Sequence, residues 1–215
     1  MEITWFGHSC FRLKGRGVAL VTDPFDKSLA YPLNKPAADI VTVSHQHPGH
    51  NFVAGVGGKP KVLKGPGEYE ISGVSITGIR TFHDAQKGQQ FGPNVVYLIE
   101  MEDLRICHLG DLGHVPTAEQ VEQIDGIDVL LVPVGGVTTI NAEQAAEVIR
   151  LLEPKLTIPM HYQTELARPD LQPLSRFLKE TGLAEAPPAQ PKLVVSKSSF
   201  PTGNLVVLDY PKPSA

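Results

Sequence analysis

The chain has 215 residues, with 19 basic and 23 acidic side chains and a net charge of −4. That length suits one mixed α/β domain with a full core, and the lack of any lysine or arginine block argues against nucleic acid or an anionic membrane as partner. No run approaches the ~20 apolar residues of a membrane span, Met1-Glu2-Ile3-Thr4-Trp5 does not open a signal peptide, and Cys10 and Cys107 form no C-x-x-C pair, so a soluble protein of the reducing cytoplasm is expected.

Residues 2–6 and 10–13 read as strands on either side of a bend at Gly7-His8-Ser9. The apolar run 18–22 is a third strand and stops at Asp23-Pro24. Residues 26–38, interrupted by Pro32 and Pro36, are a loop, and 39–44 is a buried strand. The glycine-rich 53–60 is not a phosphate loop, because Pro60 stands where Ser or Thr should follow the lysine. Short strands follow at 61–64, 68–72 and 74–81, then a polar loop at 85–93 and strands at 94–100 and 104–109.

The second half is more helical. Thr117 with Gln120, and Asn141 with Gln144, have capping-box spacing. Ala142, Ala145, Ala146, Ile149 and Leu152 form an apolar helical stripe that Pro154 ends. Between the two helices, 127–134 is continuously apolar, as expected of a strand covered on both faces. With the strand at 155–159 it makes a right-handed βαβ unit. A last helix is expected from Asp170, with Leu171, Leu174, Phe177 and Leu178 inward and Gly182 ending it. Residues 184–191 are a short linker, and strands near 192–196 and 204–210 close one domain spanning 1–215.

The most informative stretch is Ser44-His45-Gln46-His47-Pro48-Gly49-His50-Asn51. A strand cannot aim three histidines at one point, because alternate side chains face opposite ways. A tight turn just after a strand can, and Pro48-Gly49 supplies it. Imidazole is the commonest ligand for zinc-like ions, so H-x-H-x-x-H at a strand end points to a metal site. Other apolar runs end in the same way: His83 follows 74–81, Asp111 follows 104–109, and His161 follows 155–159. In α/β proteins, sites gather where the carboxyl ends of several strands meet.

The order of these pieces resembles the metallo-β-lactamase superfamily, α/β proteins built as an αββα four-layer sandwich. The likeness is greatest to the branch with ascorbate-6-phosphate lactonase and related phosphodiesterase-like hydrolases. It rests on Trp5-Phe6-Gly7-His8-Ser9, Thr22-Asp23-Pro24, the histidine turn, His83-Asp84, Gly110-Asp111 and Pro159-Met160-His161. The resemblance implies that His45, His47 and His83 hold a first metal ion, and that Asp111 bridges to a second ion held also by His50 and His161. It places Asp23 and His8 behind the ligands or at the pocket wall, with Asp23 the candidate for fixing a ligand imidazole. The ions would be zinc, one or two of them, with manganese or iron as alternatives.

In one position the chain departs from the pattern. The family turn is H-x-H-x-D-H, and Gly49 replaces the aspartate that binds the second metal and orients the attacking water. The resemblance then implies a weakened two-metal enzyme, a one-metal enzyme, or a fold that has lost hydrolysis. Glu68 or Glu70 is the available substitute carboxylate. The expected function is a metal-dependent hydrolase that cleaves a small-molecule ester, lactone or phosphodiester with a metal-activated water, Asp111 and His50 serving catalysis. The alternative is a non-catalytic or weakly active metal-binding module. A homo-oligomer is compatible with either. His108, His114 and Cys10 read as packing residues, Asp84 as a turn acceptor, and Gly135-Gly136 as a substrate approach or a strand-to-helix turn. Pocket specificity is expected to reside in loops 26–37, 85–93 and 162–170.

Overall fold

A computed structural model describes residues 1–167 and 170–213. The first half forms β1 (Glu2–Gly7), β2 (Cys10–Lys14), β3 (Ala19–Thr22), β4 (Ile40–Thr42) and β5 (Lys61–Leu63). With β12 (Leu193–Val194) these make a six-stranded sheet in the order β12-β1-β2-β3-β4-β5. The second sheet comprises β6 (Gly67–Ile71), β7 (Val74–Phe82), β8 (Pro93–Met101), β9 (Leu104–His108), β10 (Val129–Pro133) and β11 (Leu156–Met160), in the order β11-β10-β9-β8-β7-β6. Each sheet is mixed. Hairpin partners run antiparallel, whereas β3-β4-β5 and β9-β10-β11 run parallel.

Strand alternation divides the side chains between layers. Ile3, Trp5, Phe11, Leu13, Leu20 and Ile40 of the first sheet join Ile76, Tyr97, Ile99 and Ile106 of the second in one core. The intervening Phe6, Cys10, Val21 and Val41 face outward into a smaller core with Phe25, Tyr31 and Val56. The 24–38 loop and a 3₁₀ turn at Val53–Gly55 thus cover the outside of the first sheet. The helices are α1 (Ala118–Gln123), α2 (Ala142–Leu152) and α3 (Leu174–Glu180). The inner stripe of α2, from Ala142 through Ala145 and Val148 to Leu152, packs into the larger core. The capping boxes at Thr117 and Asn141 both form. As the apolar run predicts, β10 is buried along its whole length, and β10-α2-β11 is a parallel unit.

Two expected elements differ. The last helix begins at Leu174 rather than Asp170, because Pro173 takes extended geometry at its cap and bridges Gln163. Residues 204–210 make isolated bridges, Leu205 to Thr157 and Leu208 to Gln190, instead of a strand. The continuous apolar run from Leu205 to Leu208 is buried by docking along an edge without a continuous ladder. No helix among the described residues is long and apolar enough to cross a membrane.

Candidate metal centre

The expected ligands meet at the carboxyl ends of β4, β7, β9 and β11, and His8 joins them from the bend between β1 and β2. Three overlapping donor groups form among the described residues, with all ligand atoms of each within 4.8 Å of one another: His45, His47 and His83; His8, His50, Asp111 and His161; and Asp23, His45 and His50. All of the first two groups except His45 line a cavity of about 580 Å³. Apart from His47, these side chains are buried.

Backbone strain aims them. His8 (φ 53°), Asp23 (φ 38°) and His161 (φ 52°) adopt left-handed geometry, which costs a non-glycine residue about 1–3 kcal/mol. The ends of the two sheets are tied together here, because the His8 carbonyl accepts both the His161 amide (3.1 Å) and Trp5 Nε1 (3.0 Å). Gly135 lets the chain pass His161; a Cβ there would lie 2.1 Å from the His161 carbonyl oxygen.

Hydrogen bonds fix which ring nitrogen faces the cavity. Asp23, fully buried, accepts the Ser44 amide (2.7 Å), the Ser44 hydroxyl (2.5 Å) and His50 Nδ1 (2.9 Å). With its proton committed to Asp23, the Ser44 hydroxyl oxygen accepts from His45 Nδ1 (2.9 Å). His83 Nδ1 donates to the Thr138 carbonyl (2.8 Å). In these three rings Nδ1 is occupied by a hydrogen bond, which leaves Nε2 as the nitrogen turned toward the cavity. All three Nε2 atoms lie near one carboxylate oxygen. Asp111 Oδ2 lies 3.2 Å from His50 Nε2, 3.3 Å from His83 Nε2 and 3.9 Å from His45 Nε2, and His161 Nε2 is 3.4 Å away. The Asn94 side chain holds the Asp111 amide (3.0 Å), and Ser9 approaches Oδ1 (3.4 Å).

Acceptors turned toward a carboxylate repel one another unless a cation lies among them. In the protein alone, a protonated His50 supplies the positive charge beside that carboxylate. Burial drives His45 down to about 3, with His50 adding to it, and drives His8 well below its ordinary value, aided by His161 and His50. For His50 the opposing pull of burial is overcome by Asp111 and Asp23, which push it up to about 10. Burial works against Asp111 as well, but His161 and His50 hold its carboxyl well below the carboxylate range. His45 Nε2 is buried with no hydrogen-bond partner. Imidazoles with lone pairs facing a shared carboxylate are the donor set of a zinc-like centre, so these residues fit a metal.

Asp23 makes the bond to a ligand ring that the sequence suggested. Asp84 is a turn acceptor, taking the amides of Gln86, Gly88, Gln90 and Phe91. His108 donates to the Ser9 carbonyl, His114 bonds Val115 and Phe82, and neither joins a donor group. Cys10 is a buried packing residue whose thiol burial pushes well up. Glu68 and Glu70 do not substitute for a carboxylate at residue 49, because β6 turns both outward and neither joins the cluster. His8 lines the cavity wall, as the resemblance implies, and its ring also stands among the donors. Loops 26–37 and 85–93 do line the cavity, through Asp26, Ser28, Leu29 and Phe91. Of loop 162–170, residues 168 and 169 lie outside the described residues.

A family model described as a beta-lactamase superfamily domain matches residues 2–161, which contain every residue of this centre. A UPF0173 metal-dependent hydrolase from Thermoplasma acidophilum is 31% identical over 198 residues, covering 79% of this chain and 87% of that protein. Another from Methanoculleus marisnigri is 30% identical over 207 residues, covering 84% and 90%. Among solved structures, a Thermotoga maritima protein of the metallo-beta-lactamase superfamily, for which Zn-dependent hydrolysis has been suggested, superposes with a TM-score of 0.81. It is 43% identical and is covered to 99%, against 98% of this chain.

Proposed function

This chain belongs to the beta-lactamase superfamily domain family and is a metal-dependent hydrolase, and from that premise we propose that His45, His47 and His83 hold one divalent ion while His50, Asp111 and His161 hold a second. Zinc is the proposed metal, with manganese and iron also suited to imidazole and carboxylate. The observation that carries the reading is the gathering of the His50, His83 and His161 Nε2 atoms 3.2, 3.3 and 3.4 Å from Asp111 Oδ2, a position from which that carboxylate would serve both groups.

When bound, such ions act as Lewis acids and lower the pKa of water toward neutrality. Asp111 keeps its charge and orients the nucleophile over the scissile carbonyl. His50, backed by Asp23, keeps its lone pair turned inward. Leu29, Phe91, Val137 and Leu171 give the cavity an apolar wall, and Asp26 adds negative charge at its edge. The apolar wall suits an ester or lactone, and the positive charge of bound ions would equally attract a phosphodiester, so all three remain the proposed substrate classes. The narrower likeness to the ascorbate-6-phosphate lactonase branch rests on the sequence motifs. The reading as a non-catalytic module rested on Gly49, and the donors gathered around Asp111 make it the second choice.

The test compares wild type with His45→Ala and His47→Ala on carboxylic esters, lactones and a phosphodiester. We expect turnover of at least one of these classes that falls by at least about 100-fold in either variant, alongside loss of the first ion. Undiminished turnover would refute the ligand assignment, and no turnover of any class by the wild type would refute the substrate range.

A further inference from the structure

We propose that His8 is the fourth protein ligand of the second ion and occupies the volume that a side chain at residue 49 would take. The proposal rests on the two-ion reading above and assigns a donor that it leaves out.

Three observations carry it. His8 Nε2 lies with His50, Asp111 and His161 inside the 4.8 Å donor group, and 3.1 Å from His50 Nε2. Its ring centroid is 4.2 Å from that of His161, on the second sheet, and 4.7 Å from that of His50, on the first. A Cβ built on Gly49 would lie 3.2 Å from His8 Nε2 and 3.5 Å from His8 Cδ2, nearer than any other atom. The backbone at Gly49 is not left-handed, so glycine is not required there by conformation. What glycine provides is room for the imidazole.

The backbone supports the same assignment. His8 takes a strained φ of 53°, and its carbonyl is pinned by the His161 amide and Trp5 Nε1. The strain turns the ring inward, and the clamp keeps it registered against His161. The second site becomes three imidazoles and one carboxylate, a complete four-donor set, where a carboxylate at 49 would otherwise stand.

The experiment uses cobalt(II) as the probe on the full chain, reading ion stoichiometry, affinity and the hyperfine-shifted imidazole N–H resonances. Variants are His8→Ala, His8→Asn, Gly49→Asp and the His8→Ala/Gly49→Asp double. Asparagine tolerates left-handed backbone, so His8→Asn separates loss of a ligand from loss of the bend. In both His8 variants we expect the first ion unchanged and the second bound at least about 100-fold more weakly. That loss exceeds the ~10–100-fold typical of a residue acting behind a ligand. One imidazole resonance should also disappear at saturating cobalt. The double variant should recover the second ion, because a carboxylate at 49 enters the vacated volume. Two ions in wild type with unchanged affinity and resonance count in His8→Asn would overturn this inference and leave the two-ion reading intact. One ion in wild type would overturn both the inference and the second site, and none would overturn the whole assignment.

Discussion

At the scale of single residues, the centre is a problem in lone pairs. Histidine binds metal through either nitrogen, and here the choice is made by Asp23, Ser44 and the Thr138 carbonyl, each of which occupies an Nδ1 proton. Asp23→Asn can still accept from His50 but loses the charge that makes the ring a strong donor. We expect the second ion to bind about 10–100-fold more weakly, read by competition with a chromophoric chelator. Equal affinity would mean that Asp23 serves folding alone. Much of this layer was legible before any coordinates. His45, His47, His50, His83, Asp111 and His161 all follow apolar runs, and a strand end followed by a turn is a local pattern. His8 was not legible as a donor, because its role depends on a left-handed bend and on a close approach to Gly49, 41 positions away. Neither leaves a periodic trace in sequence.

At the scale of elements, loops bring chemistry to the sheet ends, and a few side chains hold the loops. Asp84 gathers four amides from residues 86–91 and is held down to about 2 chiefly by the Phe91 amide. That gathering seats Phe91 5.4 Å from the His83 ring. Asp84→Ala should loosen the 85–92 loop, seen as faster amide exchange there and a raised KM with kcat less affected; unchanged exchange in that loop would contradict the account. The helix caps are simpler. Asn141→Ala removes the side-chain acceptor of the Gln144 amide, leaves the Asn141 amide bonded to Gln144 Oε1, and should cost about 1 kcal/mol in urea unfolding. Elements with local signals, such as the two capping boxes and the β10 run, matched their expectation. The start of α3 did not, since the bridge from Pro173 to Gln163 is a tertiary contact that competes with a helical turn. The 204–210 segment has the composition of a strand, but its neighbour along β11 offers only isolated pairing.

At the scale of the whole molecule, two six-stranded sheets are pinned together at their ends by opposite devices. Away from the cavity, the buried Asp128 carboxylate accepts the Arg105 amide (2.9 Å) and bonds Lys155 (2.8 Å) and Lys197 (2.8 Å), tying the late chain to β9 and β11. Both lysines are half-exposed and their charges are screened, so the main loss in Asp128→Ala is the orphaned buried amide, about 1–3 kcal/mol. Burial opposes ionisation of Asp128, but the Lys155 and Lys197 bonds hold its pKa below 3.8. A depressed carboxylate stabilises the fold above its unfolded pKa and loses that contribution as pH falls through the folded one. The stability gap between wild type and Asp128→Asn should therefore be full at neutral pH and shrink as pH drops below 3.8; a pH-independent gap would contradict the charged clamp. At the cavity end, bound ions would take the corresponding role, joining the histidine turn of the first sheet to Asp111 and His161 of the second, with His8 as the proposed further donor. Ions bound only by the folded state raise its stability, by about 4 kcal/mol at a thousandfold excess over Kd, so a chelator should lower Tm. The most direct measurement of the central claim is metal content per chain, by elemental analysis after reconstitution with zinc and removal of excess. The account predicts two ions per chain, falling to one or none when His45 and His47 are both replaced by alanine. A wild-type chain that holds no ion after reconstitution would contradict it.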